Sequence, residues 1–144
     1  MKDTIEILLV EDQPADARLT SEALKVGLVD SRLTVARDGL EAVDFLFHRG
    51  KFAGETRPHL ILLDLNLPKK SGHEVLAEIK NDPNLRSIPV IILSSSQADT
   101  DIATAYQLHA NCYVSKPIEC DQYFQVVSAI KGFWGTVALL PGSQ

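Results

Sequence analysis

The chain has 144 residues, room for one domain that buries a sizeable core without disulfide staples. Its 14 basic against 19 acidic side chains leave a formal charge of −5, which argues against a dedicated nucleic-acid surface. Hydrophobic residues make up 45% and charged ones 23%, a globular composition and not a disordered one.

The first apolar run, residues 5–10, is interrupted by Glu6 and is too short for a secretory signal. No stretch approaches the roughly 18 apolar residues of a membrane span, so a soluble, cytoplasmic protein is expected. Residues 7–10 read as a first strand, and Pro14 fits the first turn of a helix running to about residue 28, ended near Gly27. Residues 33–36 give a second strand. Asp38 with Glu41 is a capping-box pattern opening a helix that carries Leu40, Val43, Phe45 and Leu46. Residues 49–58, with Gly50 and Gly54 and no period, predict a mobile loop. The third strand is 60–63; Ser71 and Glu74 repeat the capping pattern before Val75, Leu76 and Ile79, and Pro83 closes that helix. Residues 90–93 form a fourth strand, followed by a helix over about 99–109. A weaker run at 112–114 precedes a last helix from about 119 to beyond 133. The third and fourth runs are apolar at every position, as in strands covered on both faces. Five strand-then-helix repeats predict a doubly wound parallel α/β sandwich, with residues 1–144 as one domain and no output domain.

In such a sheet, ligands bind beyond the carboxyl ends of the strands. The residues that follow the apolar runs are Glu11 and Asp12, then Asp64, Ser94 and Lys116. Any one of these alone reads more readily as a solvated turn residue or cap; five converging on one rim do not. Clustered carboxylates repel unless a cation neutralises them, and hard oxygen donors with room for water suit Mg²⁺. Lys116 supplies a point charge for a phosphate oxygen and Ser94 a hydrogen bond. Asp64, between the others, is the candidate nucleophile for an aspartyl phosphate.

These residues resemble the receiver domain of two-component response regulators over about residues 5–130. Asp64-Leu65-Asn66-Leu67-Pro68 followed by Gly72 is similar to the family's phosphoacceptor loop. The acidic pair before Pro14, and Lys116-Pro117 lying 22 positions after Ser94, match its other signatures. The resemblance implies a flavodoxin-like (βα)5 fold with sheet order 2-1-3-4-5 and a phosphohistidine of a sensor histidine kinase as donor to Asp64. It further implies Mg²⁺ on Glu11, Asp12, Asp64 and the backbone carbonyl of Asn66, pairing of Lys116 with the phosphoryl group, and a cis Lys116–Pro117 bond. Ser94 and Tyr113 would be the switch residues, and the protein would catalyse only its own phosphorylation and dephosphorylation. Glu11 stands where Asp is common and Ser94 where Thr is common. Arg57-Pro58, the 49–58 loop, Asn111-Cys112-Tyr113 and Phe133-Trp134 resemble stand-alone regulators paired with bacterial, mostly cyanobacterial, phytochrome kinases.

The last helix carries Tyr123, Phe124, Val126, Val127, Ile130, Phe133, Trp134 and Val137. At helical spacing they fill about half of the circumference, against the roughly 100° stripe that one sheet face needs. The surplus predicts a second surface for another copy of the chain, and the resemblance implies that this homodimer uses the face of the fourth helix, fifth strand and fifth helix, which phosphorylation would bias. The alternative is that Phe133 and Trp134 fold back onto their own core. Cys112 and Cys120 read as reduced thiols, and His48, His59, His73 and His109 lack ligand spacing. A haloacid-dehalogenase-like phosphohydrolase would need a second Asp where Asn66 stands. A flavodoxin-like binding module would meet repulsion between its phosphate and Glu11 and Asp12. A degenerate receiver is disfavoured because all five site residues are present.

Overall fold

The computed structural model describes residues 4–27 and 29–141. Strands β1 (Ile5–Val10), β2 (Ser31–Ala36), β3 (Leu60–Leu63), β4 (Val90–Ser94) and β5 (Cys112–Ser115) form one parallel sheet in the order β2-β1-β3-β4-β5. Helices α1 (Pro14–Leu24), α2 (Gly39–Leu46), α3 (Gly72–Asn81), α4 (Asp99–Gln107) and α5 (Cys120–Gly132) connect them. Every side chain of β3 and β4 is buried, as their unbroken apolar runs predict.

Strand alternation divides the core between the two faces of the sheet. Leu8, Val10, Ile61, Leu63, Val90 and Ile92 pack with Val43, Leu46, Val75, Leu76, Ile79 and Ala105 of α2, α3 and α4. Ile7, Leu9, Leu60, Leu62, Ile91 and Leu93 face Ala23 and Leu24 of α1 and Tyr123, Val127 and Ile130 of α5. With helices on both faces, the carboxyl ends of the strands are left as the open rim. No helix among the described residues is long and apolar enough to cross a membrane.

The helix starts follow their local chemistry. Asp38 accepts from the Glu41 amide at 2.7 Å, and the Glu41 carboxylate accepts from the Arg37 amide at 3.0 Å. Ser71 and Glu74 complete a reciprocal capping box at α3. At α1, Pro14 occupies the first turn, but the N-cap residue Gln13 makes no side-chain capping bond. The far end of α1 is closed from outside itself. Lys131 of α5, buried, donates to the Leu24 and Val26 carbonyls, and burial lowers its pKa. Asn111 does similar work before β5: its side-chain oxygen accepts from the Val90 amide at 2.9 Å and from Lys80 at 3.0 Å.

Four expectations change. The first helix stops at Leu24, with Gly27 in the left-handed region at φ +100°; residue 28 lies outside the described residues. The 49–58 loop contains a 3-10 turn, Gly50–Phe52, whose Phe52 ring meets Phe45 edge-on at 5.5 Å and so anchors the loop to the core. The last helix ends at Gly132 and passes into a π-turn, Phe133–Val137, so the apolar residues beyond 132 leave the α-helical wheel. Trp134 packs on the α1/α5 side of the core and Leu140 is buried there, whereas Phe133, Val137 and Leu139 remain exposed. The Lys116–Pro117 bond is trans, the form favoured by about 0.5–1 kcal/mol when no contact selects the other.

Gly72 is required by close approach. A Cβ there would lie 2.2 Å from the Asp64 carbonyl oxygen and 2.6 Å from the Leu65 Cα, both backbone atoms. Gly72→Ala is expected to cost about 3 kcal/mol or more, because neither backbone atom can yield. Gly132→Ala, with nothing within 4 Å, should be neutral or stabilising by up to about 1 kcal/mol. Urea denaturation of both variants checks the contrast.

Candidate functional site

The site is built from backbone that continues the sheet. The Glu11 amide donates to Ala36 at 2.9 Å, that of Asp64 to Val10 at 3.1 Å, and that of Lys116 to Ser94 at 2.8 Å. Each residue thus inherits its position from the neighbouring strand, and the strand-end side chains named from the sequence share one rim. Asp64 is buried; its Oδ1 accepts from the Leu65 amide at 2.7 Å. The loop after it turns back so closely that the Gly72 amide donates to the Leu65 carbonyl at 2.9 Å.

Lys116 organises the charges. Its Nζ lies 2.6 Å from Glu11 Oε1, 3.0 Å from Asp64 Oδ2 and 3.0 Å from Asp16 Oδ2. Its side chain is 8% exposed, and those of Glu11 and Asp64 are 1% and 8% exposed. Burial disfavours the ammonium, yet the Glu11 hydrogen bond and the Asp64 charge outweigh it and raise the lysine pKa. Glu11 goes the other way. Burial, with repulsion from Asp64, overrides its bonds to Lys116 and pushes its carboxyl up to about 7. One cation does not balance this many carboxylates.

Glu11, Asp12 and Asp64 each offer an oxygen, and the three oxygens lie within 4.8 Å of one another. An all-oxygen donor set with Asp12 half-buried and Asn66 exposed leaves room for water, which fits a hard divalent cation. Burial is the main reason the Glu11 pKa rises, and the Asp64 repulsion that adds to it is charge such an ion would neutralise.

Ser94 is fully buried, and its Oγ accepts from the Ser96 amide at 3.2 Å. Tyr113 packs against the α2/α3 side of the core and donates its hydroxyl to the Ser96 carbonyl at 2.8 Å. Ser96 also donates to Asp101 of α4 at 2.5 Å. The loop after β4 is therefore gripped from β4, β5 and α4 together.

Sequence reading missed Asp16, Ser96 and the buried pair formed by Thr20 of α1 and Tyr123 of α5, 3.0 Å apart. The available signal was Asp16 in the first turn of a helix whose N-cap is Gln13, a poor cap. Burial pushes the Tyr123 phenol up to about 12.

The Glu11 shift has a sign that can be tested in metal-free protein. A carboxyl raised from 4.5 to about 7 on folding binds its proton more tightly when folded. Its contribution to stability is full below the unfolded value and is lost as pH rises through the folded one. In chelator, Glu11→Gln should gain stability over wild type as pH rises from about 5 to about 8, most of it below about 7. Thermal melts across that range check this; a pH-independent offset contradicts it.

Residues 7–128 match the response regulator receiver domain family. The chain is 48% identical over 137 residues to the response regulator Rcp1 of Synechocystis sp., covering 95% of this chain and 93% of that one. Its fold is similar to that of the phosphorylated cyanobacterial phytochrome response regulator RcpA, with TM-score 0.95, 50% identity, and coverage of 97% and 100%. It is also similar to the Mn²⁺-bound form of Rcp1, with TM-score 0.93, 48% identity, and coverage of 96% and 99%. With the sheet order, the strand-end carboxylates and the buried lysine in place, these likenesses settle the family: the chain belongs to the response regulator receiver domains.

Proposed function

We propose that this response regulator accepts a phosphoryl group on Asp64 from a phosphohistidine of a sensor histidine kinase, of the phytochrome type. The observation that carries the reading is the buried Asp64 carboxylate, 3.0 Å from the Lys116 ammonium and within a three-carboxylate cluster. A bare carboxylate in so acidic a site is a nucleophile toward phosphorus only if charge is neutralised around it. One Asp64 oxygen forms the new bond to phosphorus as the histidine N–P bond breaks, and the imidazole leaves as the neutral base after taking up a proton. Lys116 meets the charge that develops on the phosphoryl oxygens. Mg²⁺ would be held by Glu11, Asp12, Asp64 and the Asn66 carbonyl, and when bound it supplies further neutralisation of carboxylates and phosphoryl oxygens. The pairing with a phytochrome kinase is supported by the likeness to RcpA, a cyanobacterial phytochrome response regulator.

The acyl phosphate carries roughly −1.5 to −2 charges where the Asp64 carboxylate carried −1, so phosphorylation adds up to about one negative charge at the end of β3. Ser94 and Lys116 are the groups able to bond it, and Ser94 is tied to Ser96, which in turn is held by Tyr113 and Asp101. The phosphoryl state therefore biases the β4–α4 loop and, through it, the α4–β5–α5 face, on which we place a homodimer contact. Exposed Tyr106 on α4 and Phe133 and Val137 after α5 favour an apolar partner over nucleic acid.

Incubation with acetyl phosphate and Mg²⁺ should retard wild type on a phosphate-affinity gel and leave Asp64→Asn unshifted; absence of a wild-type shift contradicts the reading. Ser94→Ala should still be retarded but should lose the effect of phosphorylation on assembly. Sedimentation at tens of micromolar reads this second claim. A wild type that stays monomeric in both states argues against the homodimer, and a Ser94→Ala that responds as wild type does argues against the switch.

A further inference from the structure

Resting on the phosphoacceptor reading, we propose that Asp16 is a positioning residue that withholds Lys116 from the phosphoryl group and so lowers the affinity of the site for a phosphoryl-shaped anion. An ammonium carries three protons, and those of Lys116 face three carboxylates, Glu11, Asp16 and Asp64, at 2.6, 3.0 and 3.0 Å. Phosphorylation turns Asp64 itself into the acyl phosphate, and for Lys116 to follow the phosphoryl oxygens it loosens its hold on Glu11 or Asp16. Glu11 is almost fully buried, so releasing it is the costlier of the two. Asp16 is 36% exposed, and water can replace the ammonium there. Asp16 is the acceptor given up, and its hold on Lys116 opposes phosphorylation.

The local geometry of α1 supports a dedicated role. In α2 and α3 the acidic residue in the first turn, Glu41 or Glu74, turns back to a backbone amide at 3.0 Å. In α1 the corresponding acidic residue, Asp16, points to Lys116 instead, 100 positions away in sequence. The N-cap amide that it would otherwise take, that of Gln13, is satisfied by Glu11 Oε2 at 3.2 Å. Asp16 is thus free of capping duty and spends its carboxylate on the lysine. Its charge acts in two opposite ways: it favours a cation in the cluster and disfavours an added anion.

Calorimetry separates these effects. Wild type, Asp16→Asn and Asp16→Glu are titrated first with Mg²⁺ alone, then with fluoroberyllate at saturating Mg²⁺. Asp16→Asn should bind fluoroberyllate at least about threefold more tightly than wild type, while its Mg²⁺ affinity does not rise. Asp16→Glu, which keeps the charge, should stay within about twofold of wild type on both. No tightening in Asp16→Asn, equal tightening in Asp16→Glu, or a parallel gain in Mg²⁺ affinity would each overturn the proposal. A merely structural role would weaken both ligands or neither. If wild type itself takes up no fluoroberyllate, the phosphoacceptor reading falls and this inference with it. If wild type binds and Asp16→Asn does not gain, only the role of Asp16 is lost.

Discussion

A single buried ammonium holds this rim of the sheet together. Lys116 reaches carboxylates at the end of β1, in the first turn of α1 and at the end of β3. Burying an ion costs several kcal/mol, and removing one partner of a buried pair costs about 3–5 kcal/mol. That arrangement is tolerable only because the parallel sheet brings those ends to one edge and the ladder fixes each backbone. The unbalanced negative charge that remains is what makes the site receptive to a divalent cation.

From that constraint the rest of the chemistry follows in order. Gly72 lets the loop after Asp64 return over the backbone, which keeps Asp64 at the rim instead of turned into a longer loop. Ser94 lies at the end of β4, where Lys116 already hydrogen-bonds its carbonyl. Under the proposed function, a new charge on Asp64 would meet two groups whose own neighbours are fixed. Only differential contacts can shift a conformational equilibrium, and those would be the bonds that Lys116 and Ser94 exchange. Ser96, held by Ser94, Tyr113 and Asp101, would carry that exchange to α4.

The fold was legible because its signals are local. Unbroken runs such as Leu60 to Leu63 can only be strands covered on both faces or pieces of a buried helix, and their length selects the strand. Ser71 and Glu74 declare a helix start within four residues. The strand-end residues Glu11, Asp12, Asp64, Ser94 and Lys116 followed from topology alone. What was not legible depends on contacts distant in sequence. Nothing around Asp16 announces Lys116, and nothing around Lys131 announces the Leu24 carbonyl. The π-turn after Gly132 broke a hydrophobic wheel that looked continuous, so Trp134 went to the core while Phe133 and Val137 stayed outside.

The central claim, that Asp64 and no neighbouring carboxylate carries the phosphoryl group, can be read chemically. Borohydride reduces an acyl phosphate to the alcohol and leaves free carboxylates untouched. After phosphorylation, reduction and peptide mapping by mass spectrometry, the account predicts homoserine at position 64 and unchanged Glu11, Asp12 and Asp16. Reduction at any of those three, or at none of the four, would contradict it.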